Sequence, residues 1–214
     1  MSTTPHVMIL NNGGLRSLVA AALAQGGEPA PRVTLLHIDD GREARSTRVA
    51  CVRRQAKSLG VTRVTELSIP HLYGHGYGRL PDGGPMGVLA QPQLLLAALA
   101  EARHQQAGTV VWPISVNGQT KSAAQATEQA MLCEHLAQAE QEPAPRIDTP
   151  LVEFTDAQVI ELGGQLEVDW TATWSCNRPG ERPCRACAGC RRRHTAFDRA
   201  GIVDTLVEQA VAAR

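Results

Sequence analysis

The chain has 214 residues, enough to bury a core as one domain with a small appendage, which excludes a disulfide-stapled miniprotein. Hydrophobic residues at 43% and charged residues at 20% exclude a disordered chain. Lys+Arg and Asp+Glu are 21 each, so the basic excess of a general polyanion binder is missing and direct nucleic-acid binding is not expected.

In chain order, His6-Val-Met-Ile-Leu10 is a short apolar run followed by Asn11-Asn12-Gly13-Gly14 and a Leu/Ala-rich stretch from Leu15 to Gln25. This predicts strand, tight glycine turn and helix. Arg32 to Ile38 is a second buried strand, and Asp39-Asp40-Gly41 turns the chain into an arginine-rich helix that runs to about Leu59. Val61 to Ile69 gives a third strand. Residues 71 to 90 break the pattern with interleaved Gly and Pro, and a loop of that length is usually functional or mobile; His71, His75 and Tyr77 within it are either surface residues or part of a substrate lid.

Leu94 to Gln106 returns to helix, and Gly108 to Trp112 reads as a fourth strand. After the Asn117-Gly118 turn, a polar helix spans about Ser122 to Glu140. Pro150 to Phe154 leads into a helix opened by Thr155-Asp156, with Thr155 as N-cap. Beyond Trp174 the composition changes to Cys, Arg, Gly and Pro, and a last amphipathic helix is expected over Ile202 to Ala213. Strands alternating with helices predict an α/β fold, a parallel sheet with helices on its faces. The expected division is residues 1–170 for the α/β domain and 171–214 for a metal module with the C-terminal helix.

Cys176-x7-Cys184-x2-Cys187-x2-Cys190 places four thiolates within fifteen residues. That set closes a tetrahedral zinc shell and leaves no open coordination position, so the expected role is a structural staple. An iron–sulfur or redox site is the rival reading. Cys51 and Cys133 read as small core residues.

Asn12-Gly13-Gly14-Leu15-Arg16-Ser17 opens the first helix, where glycines admit close backbone approach and a helix start favours anions. Only two lysines occur, Lys57 and Lys121, so nearly every cation is arginine. Lys121 follows the Asn117-Gly118 turn and is a candidate for meeting a phosphate. Arg191-Arg192-Arg193-His194 follows the last cysteine and reads either as a solvated run or as a local anion site. His37 reads as a core histidine. No stretch approaches the roughly 18 apolar residues of a membrane span, and the first residues lack a signal-peptide pattern, so a cytoplasmic location is expected.

Taken in order, the Gly-Gly-x-x-Ser turn, the second strand ending in Asp39-Asp40-Gly41, the Pro150-Leu151 segment and the module from Trp174-Ser-Cys-Asn177 to Cys184-Arg-Ala-Cys-Ala-Gly-Cys190 resemble the 7-cyano-7-deazaguanine synthase family (QueC, also called ExsB) of the PP-loop ATP pyrophosphatases. The resemblance implies a Rossmann-like, PP-loop-type nucleotide-binding domain over residues 1–170 with helices on both faces of its sheet, a zinc-bearing C-terminal lobe, a homodimer and a small nucleotide or deazapurine-like substrate. It also implies an ATP-dependent reaction: a carboxylate is activated, ammonia displaces the adenylate, and a second activation gives a nitrile for queuosine synthesis. Under it, Asn12, Gly13, Gly14, Arg16 and Ser17 would hold ATP phosphates, and Asp39 and Asp40 would lie near the nucleotide. Arg193 would match an arginine of the family module.

The turn departs from the family's Ser-Gly-Gly-x-Asp-Ser at Asn12 and Arg16, and a cation in place of the aspartate argues against magnesium there. Leu89-Ala-Gln-Pro-Gln93 replaces a Pro-Gly-Arg-Asn stretch, and Thr120 to Gln125 replaces Gly-Tyr-Pro-Asp-Cys-Arg. A degenerate turn leaves three readings: a carboxylate-activating enzyme, a paralogue that only binds a nucleotide, anion or partner, and tRNA thiolation with Cys51 as reactive thiol.

Overall fold

A computed structural model describes residues 4–69, 89–140 and 142–212. The predicted lid residues His71, His75 and Tyr77 lie outside them. The first half runs β1 (His6–Leu10), α1 (Leu15–Gln25), β2 (Arg32–Asp39), α2 (Arg45–Ser58), β3 (Arg63–Ser68) and α3 (Ala90–His104). The second half adds β4 (Thr109–Val111), α4 (Thr120–Glu140), β5 (Arg146–Asp148), α5 (Asp156–Gln165), a 3-10 turn (Trp170–Ala172), α6 (Ala188–Ala200) and α7 (Thr205–Ala212).

The sheet is parallel throughout, in the order β3-β2-β1-β4-β5. Its strands alternate between two cores. Ile9, Leu35 and Val111 pack with Leu18, Val52, Val159, Ile160 and Phe197 on one face. Met8, Leu36 and Val110 pack with Leu95, Leu99 and Cys133 on the other. Both faces of the central strands are therefore buried under helices, as their continuous apolar runs predict. The strand order reverses between β1 and β4, and the crevice beyond the strand ends at such a point is where open α/β sheets bind ligands.

Several boundaries shift. Residues 150–153 form turns that lead into α5, and the preceding Arg146–Asp148 is a strand not expected from the sequence. The helix expected from Leu94 starts at Ala90, after Leu89 in the left-handed region at φ 64°. The C-terminal helix expected over Ile202–Ala213 is α7, starting at Thr205, and a further helix not expected from the sequence, α6, precedes it and is capped by Gly201 at φ 65°. The arginine run thus lies on α6, one side of which buries Cys190, Arg193, Ala196 and Phe197 at helical spacing. Trp170 and Phe197 meet edge to face with ring centroids 5.3 Å apart, and both belong to the core that holds Ile9.

Candidate functional site

The turn between β1 and α1 is built by side chains that satisfy its own backbone. The Gly13 N–H donates to Asn11 Oδ1 at 2.8 Å, and Asn11 Nδ2 donates to Gln55 Oε1 at 2.9 Å. Asn12 Oδ1 accepts from the Gly14 N–H at 3.0 Å and from Ser17 Oγ at 3.4 Å. Gly13 has φ 72°, and a Cβ there would sit 2.5 Å from the Arg48 carbonyl, so glycine is required twice over. The first helical bond of α1 runs from the Leu18 N–H to the Gly14 carbonyl, so the N–H groups of Leu15, Arg16 and Ser17 head the helix. The donors offered at this turn are thus the helix-start amides, while the two glycine amides are engaged by asparagine.

A cavity of about 490 Å³ opens beside this turn at the ends of β1, β2 and β4. Asn12, Gly14, Arg16, Ser17 and Asp40 line it, with Trp112 and Leu94 among its apolar lining. Gly13 lies buried under the turn. Asp40 pairs with Arg42 at 2.7 Å. Asp39, one residue earlier, faces a second depression on the other side of β2, shared with His37 and Glu66. There it accepts from the Gly41 N–H at 2.9 Å. His37 is buried as expected, its Nδ1 donating to the Asn11 carbonyl at 2.9 Å.

Asp156, missed by sequence reasoning, completes the cavity together with Arg192 of the basic run. Asp156, the first residue of α5, accepts from Arg16 Nη2 at 2.6 Å and from Arg192 Nε at 2.5 Å. Burial alone would raise the Asp156 carboxyl, but the two guanidinium groups hold it below its ordinary value. Asp156 is fixed by its helix start: Thr155 and Gln158 form a capping box, and the Asp156 N–H donates to Asn117 Oδ1 at 3.0 Å. The signal was the Thr-x-x-Gln cap, which locates the residue but not its partners.

The two remaining sequence candidates are placed differently. Arg193 borders the cavity, but its charge is spent inside the protein: it is 4% exposed and grips Asp204 with Nε at 2.6 Å and Nη2 at 2.8 Å. Its Nη1 donates to Thr173 Oγ1 at 2.7 Å, and the guanidinium lies 5.1 Å from the Phe197 ring centre. A buried arginine so paired is an architectural residue. Lys121 stands exposed on the first turn of α4 and is not among the cavity's lining residues.

The cysteines converge as expected. The Sγ atoms of Cys176, Cys184, Cys187 and Cys190 all lie within 4.8 Å of one another. Cys184 to Cys190 and Cys176 to Cys187 are each 3.9 Å apart. Four thiolates around zinc at about 2.3 Å define a tetrahedron with edges of about 3.8 Å, so the set fits one ion; a cluster of several bridged irons needs its thiolates further apart. Backbone N–H groups of Ala186 and Cys187 pull the Cys184 thiol down to about 6. Burial pushes the Cys176 and Cys190 thiols up. Gly189 lets the knuckle close, since a Cβ there would collide with the Ser175 carbonyl.

The family model for queuosine biosynthesis protein QueC matches residues 96–201. A 7-cyano-7-deazaguanine synthase of Methanothrix thermoacetophila is 25% identical over 93% of this chain and 96% of its own. One from Methanoculleus marisnigri is 27% identical over 92% and 96%. The synthase of Trichodesmium erythraeum is 44% identical, over a segment that spans 28% of each chain. Among solved structures, the U34-tRNA thiolase NcsA from Methanococcus maripaludis, with its 4Fe-4S cluster, superposes with a TM-score of 0.58 at 13% identity, over 92% of this chain and 65% of that one. A 4-thiouridine synthetase in complex with RNA and bound ATP gives 0.53 at 14%, over 98% and 54%. The likeness to these two structures is one of fold, the PP-loop type of parallel α/β sheet. The chain is thus similar to 7-cyano-7-deazaguanine synthases almost end to end, and to the QueC family model over residues 96–201.

Proposed function

We propose that this protein is an ATP-using enzyme of the 7-cyano-7-deazaguanine synthase type, activating the carboxylate of 7-carboxy-7-deazaguanine or a related acid for amidation and nitrile formation. The observation that carries this reading is the cavity itself. It lies at the topological switch point, is headed by the glycine turn and the start of α1, and combines apolar lining that includes Trp112 with a cationic side at Arg16 and Arg192. In this reading the amides of Leu15 to Ser17 and the two arginines receive phosphate, Ser17 adds a hydroxyl, and Trp112 lies against a heterocycle. The four cysteines hold one zinc ion, which serves to fix the C-terminal lobe against the turn.

A second reading, a paralogue that binds a nucleotide, another anion or a partner without this turnover, is favoured by one specific arrangement. Asn12 Oδ1 occupies the Gly14 N–H, and Arg16, which the resemblance of the turn sets in the place of an acid, is paired with Asp156. Mass-spectrometric assay with ATP, magnesium, ammonium and 7-carboxy-7-deazaguanine separates the two. We expect nitrile formation well below the family's rate, with AMP released from ATP if a related acid is the substrate. Rapid nitrile formation would make the chain a full synthase, and ATP binding with no AMP from any deazapurine acid would favour the binding paralogue.

A further inference from the structure

We infer that Arg16 and Arg192, held in place by Asp156, form a two-arginine receptor for a phosphoryl group, and that this receptor works without a divalent cation. The inference rests on the nucleotide reading of the cavity and assigns Arg192, which belongs to no family motif quoted above, as a specificity-determining residue.

The geometry is that of a buttressed pair. Arg16 reaches Asp156 Oδ1 with Nε at 3.2 Å and Nη2 at 2.6 Å; Arg192 reaches Oδ2 with Nε at 2.5 Å and Oδ1 with Nη2 at 3.5 Å. Each guanidinium carries five N–H donors in a rigid fork, so donors remain on both after Asp156 is served. Two cations share one carboxylate, which leaves one positive charge in excess at the cavity wall. Arg16 is on the first turn of α1, so this charge adds to the helix-start amides of Leu15 to Ser17. The three members come from three helices, α1, α5 and α6, all packed into the same core. The forks are therefore ordered before a ligand arrives, which cuts the entropy cost of binding.

The same geometry opposes a metal. Among the described residues that line the cavity the acids are Asp40 and Asp156. Both are paired with arginine, at 2.7 Å to Arg42 and at 2.5 to 2.6 Å to Arg192 and Arg16. A magnesium ion would have to break one of these pairs and then sit beside the surplus cation. A phosphoryl group meets the unspent donors and the surplus charge directly.

Equilibrium titrations of the zinc-loaded protein with pyrophosphate, ATP and benzoate, in buffer freed of divalent ions by a chelating resin and then with magnesium added, test this. We expect pyrophosphate and ATP to bind without magnesium, with affinities that change less than about threefold on adding it, and benzoate to bind far more weakly. Arg192→Gln should weaken both phosphates about tenfold or more. Arg191→Gln, the same loss of charge one residue away on an exposed arginine that donates to the Ala186 carbonyl, should change them less than about twofold. Magnesium-dependent ATP binding with equal effects of the two variants would overturn the receptor and leave the nucleotide reading standing. Pyrophosphate binding without ATP binding would keep the receptor and remove that reading. Preference for benzoate would assign the pair to a carboxylate instead, and no binding of any probe would end both.

Discussion

The main-chain N–H of Trp174 donates to the carbonyl of Gly13 at 2.8 Å. One residue belongs to the approach to the metal knuckle and the other to the turn that heads α1, so the two most distinctive sequence features are joined by a single hydrogen bond. Trp174 is 2% exposed and packs with Cys51, Cys176 and Cys190, and its indole Nε1 donates to the Arg178 carbonyl at 3.0 Å. Gln55 reinforces the joint, donating to the Ala172 carbonyl at 2.9 Å.

The first prediction concerns the metal. Elemental analysis should give one zinc per chain, and Cys187→Ala should lower the melting temperature sharply, since binding energy at such a site is folding energy. Because Trp174 ties the module to Gly13, chelation should also raise amide hydrogen exchange across residues 13 to 18. Iron with visible absorbance would contradict the assignment, and unchanged exchange would contradict the coupling.

Gly13→Ala should destabilise the fold by roughly 1–3 kcal/mol, because it forces a Cβ against the Arg48 carbonyl and a side chain into the left-handed region. Gly60, also left-handed at φ 67° but with open space around it, should lose less on the same change. Denaturant melts of the two variants compare them directly.

Acid should expose the Asp156 pairings. Its carboxyl is held below its ordinary value in the folded protein, so the stabilisation is complete above the unfolded value of about 3.9 and is lost as pH falls through the lower folded value. Asp156→Asn should cost about 1–3 kcal/mol at neutral pH. The wild-type advantage should shrink as the pH drops below about 4. A difference that grows on acidification would contradict the pairing.

Arg193→Gln should cost about 3–5 kcal/mol, because it leaves Asp204 without its charged partner in a largely buried setting. Lys121→Ala should be neutral in stability and in ligand affinity, as an exposed side chain on α4. Thermal melts settle the first, and the titrations settle the second.

What the sequence disclosed follows the range of the interactions. The turn from Asn11 to Ser17 and the four cysteines are local, and each was readable because its parts lie within fifteen residues. The alternation of strands and helices was readable because both sheet faces are buried, which leaves continuous apolar runs. The Arg16–Asp156 pair was not readable, since its partners are 140 residues apart and the turn that marks Arg16 says nothing of Asp156. Arg192 and Arg193 sit side by side in one basic run and have opposite fates, one toward the cavity and one into Asp204, and only the start of α6 at Ala188 decides which. The strand Arg146–Asp148 has three residues, too few to show a period.

The most direct test of the nucleotide assignment is calorimetric titration of ATP into the wild-type protein, zinc-loaded, alongside Arg16→Asp. The account predicts saturable binding of one ATP per chain to the wild type and its loss in Arg16→Asp, where two carboxylates would face each other at the helix start. Equal ATP affinity in the two proteins, or no binding to either at millimolar ATP, would show that the turn is a strand-to-helix connection and not a nucleotide site.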